Sequence, residues 1–328
     1  MFSFSQMDTN PKPFRDLLDH HRDLFVDPLL WTYRHLKLVG CRFEDADTAS
    51  TESTQDDCKT DDDERPCPKV PSDAEQLATY PIAAVKYRCL VNILVGKGRP
   101  FKTLRKGPQF YFTDKPVHRP RHTVFYRQGQ SDAHFGKGLF PLVSYLHYTS
   151  VNGGRRDKFE PCPGPKGTLN WIGQRILEKR LAQIQPKEWT EDPYFVCILL
   201  ALAQLQERKV EFPKPATYTS RLLVTNLCDK EYIHLYEAEI SAELLGALRS
   251  PTTATKYTKW PTIRRRKLPY KPYNTFADRI TAELVAPSLL CSPEISSLSD
   301  EVNGVVRCGT KRPSEPESNK TYKTERIT

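Results

Sequence analysis

Apolar positions are densest between Thr168 and Ser250, and their period changes along that stretch. Asp192-Pro193 reads as a helix start, with Asp as the cap and Pro in the first helical position. Tyr194 to Ala203 then runs apolar without a polar break, followed by Gln204, Gln206, Glu207, Arg208 and Lys209. A helix that is apolar all round is buried on several sides. The basic residues in its last turn suit the negative end of the dipole. The run is about half the ~20 residues of a membrane span, so it predicts a core helix. Upstream, Leu169, Ile172, Ile176, Leu177, Leu181 and Ile184 predict an amphipathic helix ended by Pro186.

Period-two alternation follows. It predicts a strand over Arg221–Leu227, a turn at Cys228-Asp229-Lys230 and a second strand over Glu231–Ile240. Tyr232, His234, Tyr236, Ala238 and Ile240 share one face of that strand, and Ile233, Leu235, Glu237 and Glu239 the other. Ser241 caps a short helix over 242–249, which Pro251 stops. The expected class is α+β, a buried central helix packed on a small antiparallel hairpin or sheet.

Outside this centre the pattern weakens in two places. Phe14, Leu17, Leu18, His21, Leu24 and Phe25 recur three and four apart, and Leu29 to Leu36 continue after Pro28, so residues 1–43 predict an N-terminal helical arm. Residues 44–73 lose any apolar period and gather Asp and Glu among Ser, Thr and Pro, which predicts a disordered acidic insert. One α+β domain is expected over 74–286, and a disordered tail over 287–328.

Composition narrows the function classes. The 328-residue chain is 38% hydrophobic, holds 27 prolines and carries a formal net charge of +9. That balance favours acidic partners, an acidic protein or nucleic acid. The nine cysteines are odd in number and widely spaced, without the short spacing of a zinc or redox motif, which points to a reducing compartment. Met1 to Ser5 lacks the basic start and apolar core of a secretory signal. The expected location is intracellular, nuclear or cytoplasmic, with no membrane partner.

Charge is concentrated in two segments. Residues 97–121 carry Lys97, Arg99, Lys102, Arg105, Lys106, Lys115, Arg119 and Arg121 around Phe110-Tyr111-Phe112. Residues 256–271 carry Arg264-Arg265-Arg266-Lys267, followed by Pro269. Basic residues interleaved with aromatics suit single-stranded nucleic acid, and the tetrapeptide also suits nuclear import. The competing reading is a hairpin with its Lys and Arg facing water. His118 and His122 flank Pro120, which forbids the helical pair a metal would use. No phosphate loop or nucleophile elbow is present, so neither a cofactor nor a metal is implied.

Two resemblances bear on this reading. The Asp192-Pro193-Tyr194 helix followed by Leu222-Leu223-Val224-Thr225 and Tyr232 to Ser241 resembles a pattern in sequences of filamentous fungi. It covers roughly residues 168–251 and implies a fungal origin and an α+β core. No activity is established for that group, so no functional residues carry over. A hairpin whose far strand bears spaced acids also looks like part of the PD-(D/E)xK nuclease core, in which carboxylates hold a divalent metal that activates water. Asp229, Glu237 and Glu239 would be the acids, but Ile240-Ser241 stand where the lysine belongs. The leading expectation is therefore a non-enzymatic interaction protein. A nuclease-like enzyme (or inactive relative) and a nucleic-acid-binding module using the two basic segments are the alternatives.

Overall fold

The computed structural model describes residues 14–22, 25–46, 71–104, 107–127, 142–210, 214–254 and 257–286. Most of the predicted acidic insert, all of the predicted tail, and Arg105, Lys106 and Lys256 lie outside them. In chain order the elements are α1 (Phe14–His20), α2 (Tyr33–Val39), β1 (Arg42–Asp45), α3 (Asp73–Thr79), α4 (Ala83–Val95), β2 (Phe101–Leu104), β3 (Phe110–Phe112), β4 (Lys115–His118), β5 (Thr123–Arg127) and β6 (Leu142–His147). There follow α5 (Thr149–Phe159), α6 (Trp171–Ile184), α7 (Tyr194–Lys209), β7 (Thr217–Thr225), β8 (Tyr232–Ser241), α8 (Ala242–Arg249), β9 (Thr262–Pro269) and α9 (Tyr273–Val285).

The fold is α+β. Its hairpin β7–β8 is the middle of a mixed seven-stranded sheet ordered β1-β9-β8-β7-β6-β5-β2, and β3 and β4 form a separate ribbon. β6 runs parallel to β7, and β1 parallel to β9. Two apolar cores sandwich the sheet, and neighbouring residues of one strand go to different cores. Leu222 and Val224 join the core with α1, α2, α7 and α8, whereas Leu223 joins the one with α3, α4 and α9. That is the two-residue period of a strand expressed as packing.

Helix α7 is buried as its composition requires. Tyr194 to Ala203 are all at or below 3% exposure. Its polar last turns are used for stitching. Gln204 exchanges hydrogen bonds with the backbone N–H and C=O of Tyr111 on β3, and the Gln206 amide donates to the Thr219 carbonyl. The start of α7 is set by Asp192, whose Oδ1 accepts the Tyr194 N–H at 2.9 Å. Ser241 caps α8 by accepting the Leu244 N–H.

The N-terminal arm packs on the rest, with Phe14, Leu17, Leu36 and Cys41 in the α7 core. Two differences from the sequence reading have physical causes. Glu44 and Asp45, placed by composition in the insert, extend β1 and pair with Arg264 and Arg265 of β9. Helix α6 forms, yet of its apolar stripe only Leu177 is buried, while Ile172 and Ile176 are 75% and 49% exposed. Among the described residues no helix is long and apolar enough to cross a membrane.

Candidate functional site

The strand period also sorts the charged residues. β8 and β9 are antiparallel with His234 opposite Lys267 and Tyr236 opposite Arg265. Residues opposite one another share a face, so Arg265 and Lys267 stand with His234 on the α7 side. Arg264 and Arg266 point the other way, and Arg266 forms an ion pair with Glu283 of α9. The basic tetrapeptide is thus a strand with hydrogen-bonded neighbours on both edges, split between two faces.

The turn before β8 brings Asp229 to the same place. Its Oδ1 accepts the backbone N–H groups of Glu231 (3.1 Å) and Tyr232 (2.9 Å), and its Oδ2 lies 2.7 Å from His234 Nε2. A carboxylate only accepts, so Nε2 carries the proton, and in the neutral ring Nδ1 is left with a lone pair. That Nδ1 is buried and has no hydrogen-bond partner. Burial lowers the His234 pKa, against the pull of Asp229. Burial alone raises the Asp229 carboxyl, but the hydrogen bonds from His234 and the two backbone groups outweigh it and hold the group below its ordinary value.

The short turn Trp189–Glu191 ahead of α7 forms the opposite wall. The Trp189 ring meets His234 edge-on at 4.8 Å. Thr190 Oγ1 accepts from Arg265 at 2.6 Å, and the Thr190 carbonyl accepts the Tyr236 hydroxyl at 2.8 Å. Arg265 also donates to Asp45 at 2.7 Å, which lowers the Asp45 pKa, and lies 3.9 Å from Glu191. Together these residues enclose a polar recess of about 350 Å³. His234, Trp189 and Thr190 were not singled out from the sequence. His234 sat on the predicted Tyr232–Tyr236 face, but nothing local placed Trp189 and Thr190 opposite it.

The three acids of the nuclease-like alternative do not converge. Glu237 and Glu239 stand on the opposite face of β8 from His234, and Glu237 is buried, 2.5 Å from the Arg221 guanidinium. Arg221 in turn donates to the carbonyls of Leu284 and Ala286 at the end of α9. Glu237 is therefore an internal counter-ion, and Asp229 belongs to the recess. Among the described residues no group of three His, Cys, Asp or Glu is arranged to hold a metal ion. Against protein-family models, curated proteins and solved structures, the chain finds no match.

Proposed function

We propose that the chain is a non-enzymatic interaction protein whose recess receives an acidic segment of a partner protein. The observation that carries this is Lys267. Its ammonium forms no ion pair among the described residues, lying instead 5.9 Å over the Tyr232 ring, beside Arg265 and the buried His234. The acids that compensate Arg265, Asp45 and Glu191, are themselves 70% and 44% exposed. Arg265 itself is only 12% exposed, so its charge stays in place while the two solvent-open carboxylates can exchange with an incoming one. Trp189 and Thr190 supply an apolar wall and a hydroxyl that orient such a group.

The alternatives find less support. β2 with Lys102 and β9 with Arg265 are five strand spacings apart, about 24 Å at ~4.8 Å each. Arg99 and Arg121 of the first segment face Asp278 and Asp157. This separation disfavours a continuous phosphate backbone, whereas Arg265 and Lys267 offer two adjacent cations, among Glu188, Glu191 and Asp229, to a single carboxylate. The nuclease-like reading needs two acids at one metal, and here Glu237 serves Arg221 while Asp229 serves His234.

The test is fluorescence anisotropy with a labelled glutamate-rich peptide and with single- and double-stranded DNA, across a salt series. The peptide should bind, Lys267→Glu should weaken it about tenfold or more, and Arg264→Glu on the other face should leave it nearly unchanged. Equal losses in both variants, or tighter binding of DNA than of peptide, would count against the recess as an acidic-segment site.

A further inference from the structure

A second concavity, sharing no lining residue with the recess, lies between the N-terminal arm, the β3–β4 ribbon and α8. Its volume is about 370 Å³, within the range of small-molecule sites. Six Phe and Trp rings line it: Phe14, Phe25, Trp31, Phe110, Phe112 and Trp260. They hold one another edge-on or tilted, with Phe25 and Phe112 at 5.7 Å, Trp31 and Phe110 at 5.8 Å, and Phe14 and Trp260 at 5.9 Å. Close packing is the rule in protein interiors, so an aromatic hollow of this size is a departure that asks for an occupant. Its inner wall is fixed, since Phe14, Leu36, Phe110 and Leu248 are all buried. Its rim stays apolar to the solvent, with Phe25 at 52% and Val117 at 45% exposure.

The charge of the lining decides what fits. Asp27 is its one acidic residue, and no Lys or Arg lines it. Burial raises the Asp27 carboxyl, but hydrogen bonds from His118, Lys158 and the Leu29 N–H outweigh it and keep the group ionised. Leu29 N and His118 Nδ1 lie 3.0 and 3.3 Å from Oδ1, and Lys158 Nζ lies 2.7 Å from Oδ2. Three of the roughly four acceptor positions of a carboxylate are thereby in use, and one remains. His35, the other titratable lining group, is turned to Thr32 through its Nδ1 at 3.0 Å. Ring faces are negative in their quadrupole and attract cations. Carboxylate and rings therefore favour the same sign of ligand, and Lys158 offsets the carboxylate only from outside the lining.

From this geometry we infer that the hollow is a binding site for a small hydrophobic amine, whose apolar body fills the aromatic walls and whose ammonium meets the Asp27 carboxylate and the ring faces. An uncharged compound of the same shape would gain the apolar contacts alone. An anion of the same shape would meet the carboxylate and the negative ring faces.

The experiment is a tryptophan-fluorescence titration of the full chain, since Trp31 and Trp260 line the hollow, with 2-phenylethylamine, its neutral counterpart propylbenzene and its anionic counterpart 3-phenylpropionate. The amine should bind about tenfold or more tighter than either. Asp27→Asn, which keeps an acceptor for the Leu29 N–H, should erase that preference. Val39→Phe, which fills the hollow from α2, should abolish binding of all three without lowering Tm, and so stands even if Asp27→Asn fails to fold. The inference is overturned if no probe binds the native chain at millimolar concentration, if the neutral or anionic compound binds as well as the amine, or if Val39→Phe binds normally.

Discussion

Arg155 and Asp192 are both fully buried and meet in a two-pronged ion pair, Nη1 2.6 Å from Oδ2 and Nη2 2.8 Å from Oδ1. Asp192 also accepts the Tyr148 hydroxyl at 2.8 Å and the Tyr194 N–H at 2.9 Å, which uses all of about four acceptor positions. Arg155 Nε donates to the Leu29 carbonyl at 2.8 Å. One pair thus ties α5, the start of α7 and the N-terminal arm together. Removing one partner of a buried pair leaves the other charge uncompensated, at a cost of about 3–5 kcal/mol. Asp192→Asn should lose that much in urea denaturation. The double variant Arg155→Met, Asp192→Leu should recover part of it, because no charge is stranded although the Tyr148 hydroxyl, the Tyr194 N–H and the Leu29 carbonyl lose their partners. A single-variant loss below about 1 kcal/mol would show that the pair is not what holds these elements.

The role of Asp192 marks the boundary of what the sequence makes legible. Its capping position is local and readable from Asp192-Pro193-Tyr194, while its partner Arg155 lies 37 residues away. Helix α7 and the hairpin β7–β8 are readable because their periods are long and uninterrupted. β6 is buried on both faces, so its run Leu142–His147 lacks the alternation that identifies a strand. β1 and β9 pair across some 220 residues, which no local period records. The recess follows the same rule. Asp229, Arg265 and Lys267 are visible as charged residues, but their meeting with His234 depends on the register of two strands and the fold of one turn. Glu237 and Glu239 share a face of β8, but it is the face opposite His234, so they do not meet Asp229.

Glu237 is expected to behave as a structural counter-ion. Glu237→Ala should leave Arg221 buried without a carboxylate and destabilise the chain by about 3–5 kcal/mol, and it should loosen the end of α9 that Arg221 holds through Leu284 and Ala286. Hydrogen exchange over residues 280–286 reads the second effect. Unchanged protection there would separate Glu237 from the α9 contact.

Acid should weaken the fold through His147. Only 4% exposed and bonded through Nδ1 to Thr225 Oγ1 at 2.8 Å, it has its pKa lowered to about 4 by burial and then by nearby Lys86. The unfolded chain binds the proton near pH 6.5, so the folded state holds fewer protons between pH 6.5 and about 4. The contribution of His147 is therefore fully present above 6.5 and falls by about 1.4 kcal/mol per pH unit inside that window, where His122, its pKa also lowered to about 4 by burial, adds to it. His147→Asn should flatten this part of the stability–pH curve whatever its effect at pH 7. An unaltered slope would assign the acid sensitivity to other groups.

His234 should act in the same pH range with the opposite functional sign. Its pKa is lowered by burial, so its charge arrives only as pH falls below the ordinary histidine value. The groups lining the recess with it are Asp229, Trp189, Thr190, Arg265, Lys267, Glu188 and Glu191. The hydrogen bond to Asp45 raises the Arg265 guanidinium further above its ordinary value, and the hydrogen bonds on Asp229 hold its carboxyl below the usual carboxylate range. As pH falls below the ordinary histidine value of 6.5 the change in recess charge therefore comes from His234. Protonation adds one positive charge beside Lys267, and an acidic peptide should bind more tightly as pH falls below that value. The same protonation destabilises the fold, so the binding gain must be measured where the chain remains folded, as near-ultraviolet circular dichroism reports. His234→Asn should remove the pH dependence while leaving the affinity at pH 7.5 close to that of the native chain, because the native imidazole is neutral there. Affinity that rises equally in His234→Asn would place the titrating group on the peptide, and affinity that falls with acid in the native chain would mean the recess does not receive an anion at all.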